Sequence, residues 1–412
     1  MLDLSRSIDL AIIGAGPQAL TLVTHLLQKR PRFRHRFVVF DPSGTWLTQW
    51  HRQFAAQAIP HLRSPAVHHP DPDSFALRRF AEGRSDELFP PYDLPGTRLF
   101  QEFCAEVVQR WQLEQRVYPA KVVQLLPIEE GRGPRFQIGL ENGSAITARR
   151  VLLATGAGIP QFPDWAEHIT TPYPPERLCH AQQVNLNALS LAGERILIVG
   201  GGLTSGHLAI GAIQRGATAT LMTRRQLQEK LFDADPGWLG PKYLKGFKAE
   251  PCWLNRWQMI QQARNGGSLT PTMMLNLRQA ERQGKLVLEE NCQVISATWQ
   301  AHAEAEPFVQ PFDQHSGQHW HIHCNNGSIR SFDRIWLATG TQFDVQQHEL
   351  LQEVLNRYPA ETVQGLPVLD SSLRIPGCEC FIMGGLTALQ IGPVARNLFG
   401  GKLASQRIVP AL

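Results

Sequence analysis

Ile12-Ile13-Gly14-Ala15-Gly16-Pro17-Gln18-Ala19 ends an apolar run, Leu10–Ile13, and opens a helical pattern that reaches Gln28. In a strand, loop and helix of this order the glycines let the backbone turn tightly and approach a pyrophosphate. The helix N-terminus then aims its dipole and free N–H groups at that phosphate. Ala19 fills the third small position, where helix meets strand. The next strand, Phe37–Phe40, ends in Asp41. A carboxylate there is placed to bind both ribose hydroxyls of an adenosine, and its charge repels a 2′-phosphate. The first site therefore suits FAD. A chance glycine turn is the competing reading, weakened because strand, helix and acid fall in order.

A second copy of the pattern follows. Arg195–Val199 leads into Gly200-Gly201-Gly202-Leu203-Thr204-Ser205-Gly206, a small-residue helix over Leu203–Ile213 and a strand over Thr218–Met222. Thr223-Arg224-Arg225 stands where Asp41 stood. Arginine offers a planar fork of donors to phosphate, so this end reads as a 2′-phosphate clamp and its nucleotide as NADPH. The alternative is a solvated basic turn. Each copy also ends alike. Asn142-Gly143-Ser144 and Asn326-Gly327-Ser328 turn hairpins, and Val151–Leu153 and Ile335–Leu337 run into Ala154-Thr155-Gly156 and Ala338-Thr339-Gly340. Two such copies imply an α/β protein with two Rossmann-like dinucleotide-binding domains, the second inserted in the first. The expected division is 1–165 (FAD, first part), 166–340 (NADPH) and 341–412 (FAD, C-terminal part).

Bulk properties narrow the class. The formal net charge of +4 is scattered and weak, which argues against a nucleic-acid partner. No apolar run approaches the roughly 18 residues of a membrane span. The chain reaches its first strand without a signal-peptide core, and seven cysteines lack a disulfide framework, so a reducing cytoplasm is expected. Cys378-Glu379-Cys380 lacks the two-residue spacer of a redox pair, which argues against a disulfide reductase. His321 and His323 share a strand face but show no third metal ligand, so no metal is expected.

Residues 228–284 follow no dinucleotide logic. They are rich in Gly, Pro, Trp and Lys, with helices expected over Trp253–Ala263 and Pro271–Arg282 around Gly266-Gly267-Ser268. This helical insert reads either as a lid over the nicotinamide or as a packed decoration. Ala301–Gly317 reads as an exposed loop.

After Asp41 come Gly44-Thr45-Trp46, Trp50-His51, His61-Leu62-Arg63-Ser64 and Asp71-Pro72-Asp73-Ser74-Phe75, then Leu94-Pro95-Gly96-Thr97-Arg98. Phe381-Ile382-Met383-Gly384-Gly385 and Gln390-Ile391-Gly392-Pro393 close the chain. This order resembles the flavin-dependent N-hydroxylating monooxygenases of the lysine and ornithine type, and more loosely the flavin-containing monooxygenase superfamily. The second branch's fingerprint survives only as His180, with Pro174, Glu176 and Val184 at its other places. Where lysine and ornithine hydroxylases carry a glutamine near the flavin, this chain has Arg63.

The resemblance implies that NADPH reduces FAD, that reduced flavin captures dioxygen as a hydroperoxide at C4a, and that the substrate takes the distal oxygen. It points to Gly44, Gly384, Gln390 and Gly392 as flavin contacts. A last helix beginning near Gly392-Pro393 would aim its N-terminus at the flavin. Arg63 and His51 are the candidates for donors near the oxygen adduct, although a histidine beside tryptophans is commonly a packing residue. A buried Arg63 needs a partner, which flavin or substrate would supply. Trp46 and Trp50 would pack on the isoalloxazine or serve as core aromatics. The expected function is an FAD- and NADPH-dependent monooxygenase acting with dioxygen on a nitrogen or sulfur of a small molecule. An electron-transferring reductase or oxidase and a redox-sensing binding module are the alternatives. Self-association is left open.

Overall fold

The computed structural model describes residues 8–129, 133–156, 158–264, 266–301 and 317–412. Strand Ile8–Ile13 is apolar but for Asp9, which pairs with Arg36, because helices and loops cover both faces of its sheet. It pairs in parallel with Phe37–Asp41 on one side, with Ile12 opposite Val39, and with Ala145–Leu153 on the other, with Ile12 opposite Leu152. Val117–Pro119 extends the sheet beyond Phe37–Asp41, and the antiparallel strands Pro134–Leu140 and Val122–Glu129 extend it beyond Ala145–Leu153. Cys380–Ile382 returns from the far end of the chain to pair in parallel with Val151–Leu153. Helix Pro17–Lys29 packs against the terminal helix Leu398–Ala411 on this sheet.

The second sheet runs Leu178–His180, Arg334–Leu337, Arg195–Val199, Thr218–Thr223, Leu286–Glu290, all parallel. Beside it lie three antiparallel strands, Val294–Ala301, Gln318–Cys324 and Ile329–Phe332. The two repeats differ here. In the first copy one unbroken strand, Ala145–Leu153, serves both the hairpin and the parallel sheet. In the second the strand breaks at Asp333, whose carboxylate is drawn to Arg195, accepting from its backbone N–H at 2.7 Å and its guanidinium at 2.9 Å. Beneath the same edge Arg334 donates to both carboxylate oxygens of Glu194, at 2.8 and 2.9 Å, in a buried bidentate pair.

The chain crosses between domains at Ile159–Pro160 and Thr341–Gln342, which pair antiparallel. His180 Nε2 lies 3.0 Å from the Gly340 carbonyl, and its Nδ1 accepts from the Gln182 N–H. The neutral imidazole protonated on Nε2 satisfies both bonds, and burial lowers the ring pKa in keeping with that form.

The insert divides between the two cores. Helix Pro271–Arg282 packs on Leu203–Ile213 and belongs to the second domain. The short turn Pro236–Leu239 and the helices Pro241–Ala249 and Trp253–Arg264 instead bury Trp238, Leu244, Phe247 and Ile260 in the core of the first domain. Each such side chain contributes roughly 1.5–3 kcal/mol of apolar burial, so the insert is an inter-domain strap with a packed face. The loop expected over Ala301–Gly317 falls, but for its ends, outside the described residues. Among the described residues no helix is long and apolar enough to cross a membrane.

Candidate active site

Both glycine loops open into one cavity of about 2480 Å³. That is more than twice the roughly 300–1,000 Å³ of an ordinary small-ligand pocket. Gly14, Gly16, Pro17, Asp41, Trp50, Arg63, Thr155 and Gly156 line it from the first domain. Gly200, Gly202, Thr204, Thr223, Arg224, Arg225, Thr339 and Gly340 line it from the second.

The two loops are built alike. Gly14 has φ +98°, and a Cβ there would stand 2.6 Å from the Ala154 carbonyl oxygen. Gly200 has φ +143°, and a Cβ would collide with the Ala338 carbonyl. In each copy the close approach is to the Ala-Thr-Gly ending of its own sheet, which explains why the two motifs travel together. Gly16 and Gly202 face open space and precede their helices without a side-chain cap, leaving first-turn N–H groups for a phosphate.

The residues fit a flavin adenine dinucleotide at the first loop. The Asp41 carboxylate sits at the strand's end, oriented by N–H groups of Ala15 at 3.1 Å and Ser43 at 3.0 Å and by the Ser43 hydroxyl at 2.6 Å. Gln18 bridges to the terminal segment by donating to the carbonyls of Ala395 and Asn397, while its buried Oε1 has no partner. Gln18 itself lines the same cavity. Sequence reading passed over Gln18, although it stands inside the quoted glycine motif.

Several expected contacts lie elsewhere. Trp46 is a core residue whose indole donates to the Leu113 carbonyl at 2.9 Å, and it does not reach the cavity. Trp50 does line the cavity, stacked on Phe54 with centroids 3.8 Å apart. His51 does not line the cavity; its Nε2 is buried without a partner, and burial lowers its pKa. Ala19, Gly44, Ser205, Gly384, Gln390 and Gly392 are also set back from the cavity. Ser205 spends its hydroxyl on the Gly202 carbonyl, and Gln390 donates to the Leu369 carbonyl. The last helix starts at Leu398 rather than near Gly392.

Arg63 departs furthest from expectation. It lines the cavity, yet its guanidinium is held by the insert: Nε donates to Leu231 O at 2.9 Å, Nη1 to Ser268 O at 3.2 Å, and Nη2 to Lys230 O at 2.6 Å and Ser268 Oγ at 2.9 Å. Protein carbonyls supply the partners that a flavin or substrate was expected to supply. Nearby, Asp233 pairs with Arg264 and lies 3.6 Å from Arg396 and 4.0 Å from Arg63. One carboxylate among three guanidinium groups leaves this wall positive. Nothing local in the sequence marks that cluster, because its members come from four separate segments.

Cys378 and Cys380 are buried, and burial pushes the Cys378 thiol up to about 12. A thiol so held is inert toward disulfide exchange. Among the described residues no group of three or more His, Cys, Asp or Glu side chains is placed to hold a metal ion.

This is the fold of two-dinucleotide-domain flavoproteins. A family model described as FAD-NAD(P)-binding matches residues 11–158. No curated protein sequence matches the chain. Among solved structures, the reduced form of ornithine hydroxylase from Pseudomonas aeruginosa aligns at 16% identity and TM-score 0.75, covering 98% of each chain. Ornithine N-hydroxylase from Kutzneria sp. 744 aligns at 14% identity and TM-score 0.75, over 98% of this chain and 99% of that one. A flavin-containing monooxygenase from Stenotrophomonas maltophilia aligns at 17% identity over 98% of each chain, with a TM-score of 0.61. The chain thus shares the fold of these structures over nearly its whole length.

Proposed function

We propose that this chain is an FAD- and NADPH-dependent monooxygenase that hydroxylates a nitrogen or sulfur atom of a small molecule with dioxygen. The observation that carries the reading is the shared cavity, onto which both glycine loops, Asp41 and the Arg224-Arg225 pair all open. Bound there, FAD would accept hydride from NADPH and activate oxygen, chemistry that no side chain supplies.

The chain's own part is binding, orientation and exclusion of water. Asp41 accepts from the adenosine ribose, while Gly14, Gly16 and the helix beginning at Pro17 hold the pyrophosphate. Gly200, Gly202 and Thr204 hold the second pyrophosphate, with Arg224 and Arg225 on its 2′-phosphate. Neutral His180 keeps the crossing strands in place. Trp50, Ile260 and Phe399 give the cavity apolar wall, which favours retention of a reactive oxygen species over its loss to water. The similarity to enzymes named for ornithine favours nitrogen over sulfur. Seven free cysteines fit a reducing cytoplasm.

The decisive experiment loads the protein with FAD, reduces it anaerobically with NADPH and admits oxygen with and without NADP+. The expected result is slower flavin reoxidation when NADP+ is present, and less hydrogen peroxide released per NADPH once an amine substrate is added. Identical reoxidation rates, with all reducing equivalents recovered as peroxide or passed to a quinone, would replace the monooxygenase with an electron-transferring reductase. Nucleotide binding without turnover would leave only a redox-sensing module.

A further inference from the structure

We propose that Arg63 is a positioning residue for flavin reduction, acting through the loop Gly266-Gly267-Ser268 that it holds against the second glycine loop. The inference rests on the function proposed above and concerns how its two nucleotide sites are brought into register.

The geometry is a three-sided grip. From the first domain, Arg63 donates to both the carbonyl and the hydroxyl of Ser268, and its other donors fix Lys230 and Leu231 on the neighbouring segment at the start of the insert. From the second glycine loop, Gly202 approaches so closely that a Cβ on Gly267 would lie 3.2 Å from its Cα and 3.6 Å from its N. Gly267 also has φ +94°, so glycine answers both demands there. From the proposed 2′-phosphate end, the Arg225 guanidinium occupies the space into which a side chain on Gly266 would project. The Arg63 side chain is only 15% exposed, so these bonds form out of water, where losing them leaves carbonyls unsatisfied.

Arg63 sits in the segment Arg63-Ser64-Pro65 that lines the cavity on the flavin side. One guanidinium therefore connects that segment to the loop bordering the second pyrophosphate site. A guanidinium is required because its donors diverge in a plane toward four acceptors on two strands of chain, which a single ammonium cannot span.

The test compares Arg63→Ala, Arg63→Lys and Ser268→Ala, each purified with its flavin. In Arg63→Ala, NADPH-driven anaerobic reduction should slow by on the order of 10²-fold, the scale expected when reacting groups are misplaced by about 1 Å. NADP+ should bind on the order of tenfold more weakly, a loss of about 1.4 kcal/mol. Flavin content, the flavin absorbance spectrum and reduction by dithionite should not change. Arg63→Lys should fail to rescue, and Ser268→Ala should shift NADPH reduction the same way by less.

Unchanged NADPH reduction in a folded, flavin-loaded Arg63→Ala would overturn the proposal. An altered flavin spectrum would also overturn it, by showing that Arg63 touches the flavin itself. Should Arg63→Ala not fold, Ser268→Ala decides: normal reduction by NADPH refutes the tie. A wild-type protein that binds no flavin would refute the proposed function instead, a result distinct from all of these.

Discussion

Replacing Arg224 and Arg225 together with alanine tests the identity of the second nucleotide. Both residues follow the strand Thr218–Thr223, line the cavity and are exposed. A hydrogen bond to a charged group contributes about 1.5–3 kcal/mol when well shielded. Exposure screens these two, so the pair together is expected to contribute about that range rather than twice it. The ratio of kcat/KM for NADPH over NADH should fall by on the order of 10- to 100-fold, with NADH itself little affected. Rising salt should erode the wild-type preference and leave the double variant flat. Initial rates of oxidation of each nucleotide by the flavin-loaded protein, measured across concentration, give the ratio directly. Gly266→Ala supplies an independent lever, because its methyl would displace the Arg225 guanidinium and strain a backbone at φ +69°. It should lose part of the preference without removing a charge. A double variant that keeps the wild-type ratio would refute the clamp and direct attention to the lysines of the insert.

Asp41→Ala should release flavin, since it removes the expected ribose acceptor and the carboxylate that orients Ala15 and Ser43; full flavin occupancy at undiminished affinity would count against the first site. Glu194→Gln should destabilise the second domain by about 3–5 kcal/mol, because it strands the buried Arg334 guanidinium; a shift below about 1 kcal/mol in chemical denaturation would show that water reaches the pair. His69 bears on acid stability. Burial lowers its pKa from 6.5 to about 4, while Nδ1 accepts from the Asp71 N–H and Nε2 faces the Ser74 carbonyl. The folded pKa lies below the unfolded one, so the contribution is full above pH 6.5 and declines as pH falls toward 4, by up to about 1.4 kcal/mol per pH unit. His69→Gln should flatten the stability profile in that window, and an unchanged slope would assign the acid sensitivity elsewhere.

What could be read in advance was local chemistry. The two glycine loops, the closing Ala-Thr-Gly turns and the switch from Asp41 to Arg224-Arg225 lie within short windows whose backbone demands are written in residue type. The helices Leu203–Ile213 and Pro271–Arg282 run as their patterns predict for the same reason. What escaped depends on distant partners. The acceptors of Arg63 lie more than 160 positions away and are mainly backbone carbonyls, which no side-chain pattern advertises. Gly392-Pro393 looks like a helix start, but carbonyls there are diverted: Arg264 takes that of Pro393, and Gln18 takes that of Ala395, whereas the Asn397 carbonyl accepts from the Gly401 N–H and caps the helix. The helix therefore begins only at Leu398. Trp46 was ambiguous from sequence because a tryptophan near a flavin and a tryptophan in a core have the same neighbours along the chain. Its indole bond to Leu113 decides for the core.

Strand Cys380–Ile382 completes a sheet whose other strands all precede Ile159, and the whole second domain is threaded between them. During synthesis the first domain therefore emerges with Val151–Leu153 exposed along one edge, and it waits for the second domain to be translated before that edge can be closed. A ribosome stalled anywhere before Cys380 leaves a bare parallel edge flanked by apolar side chains, a template for pairing with another nascent chain. C-terminal truncations that end short of this strand should accumulate as aggregates even when every residue of the first glycine site is present. A strand made only after the whole second domain is what closes the edge of the first.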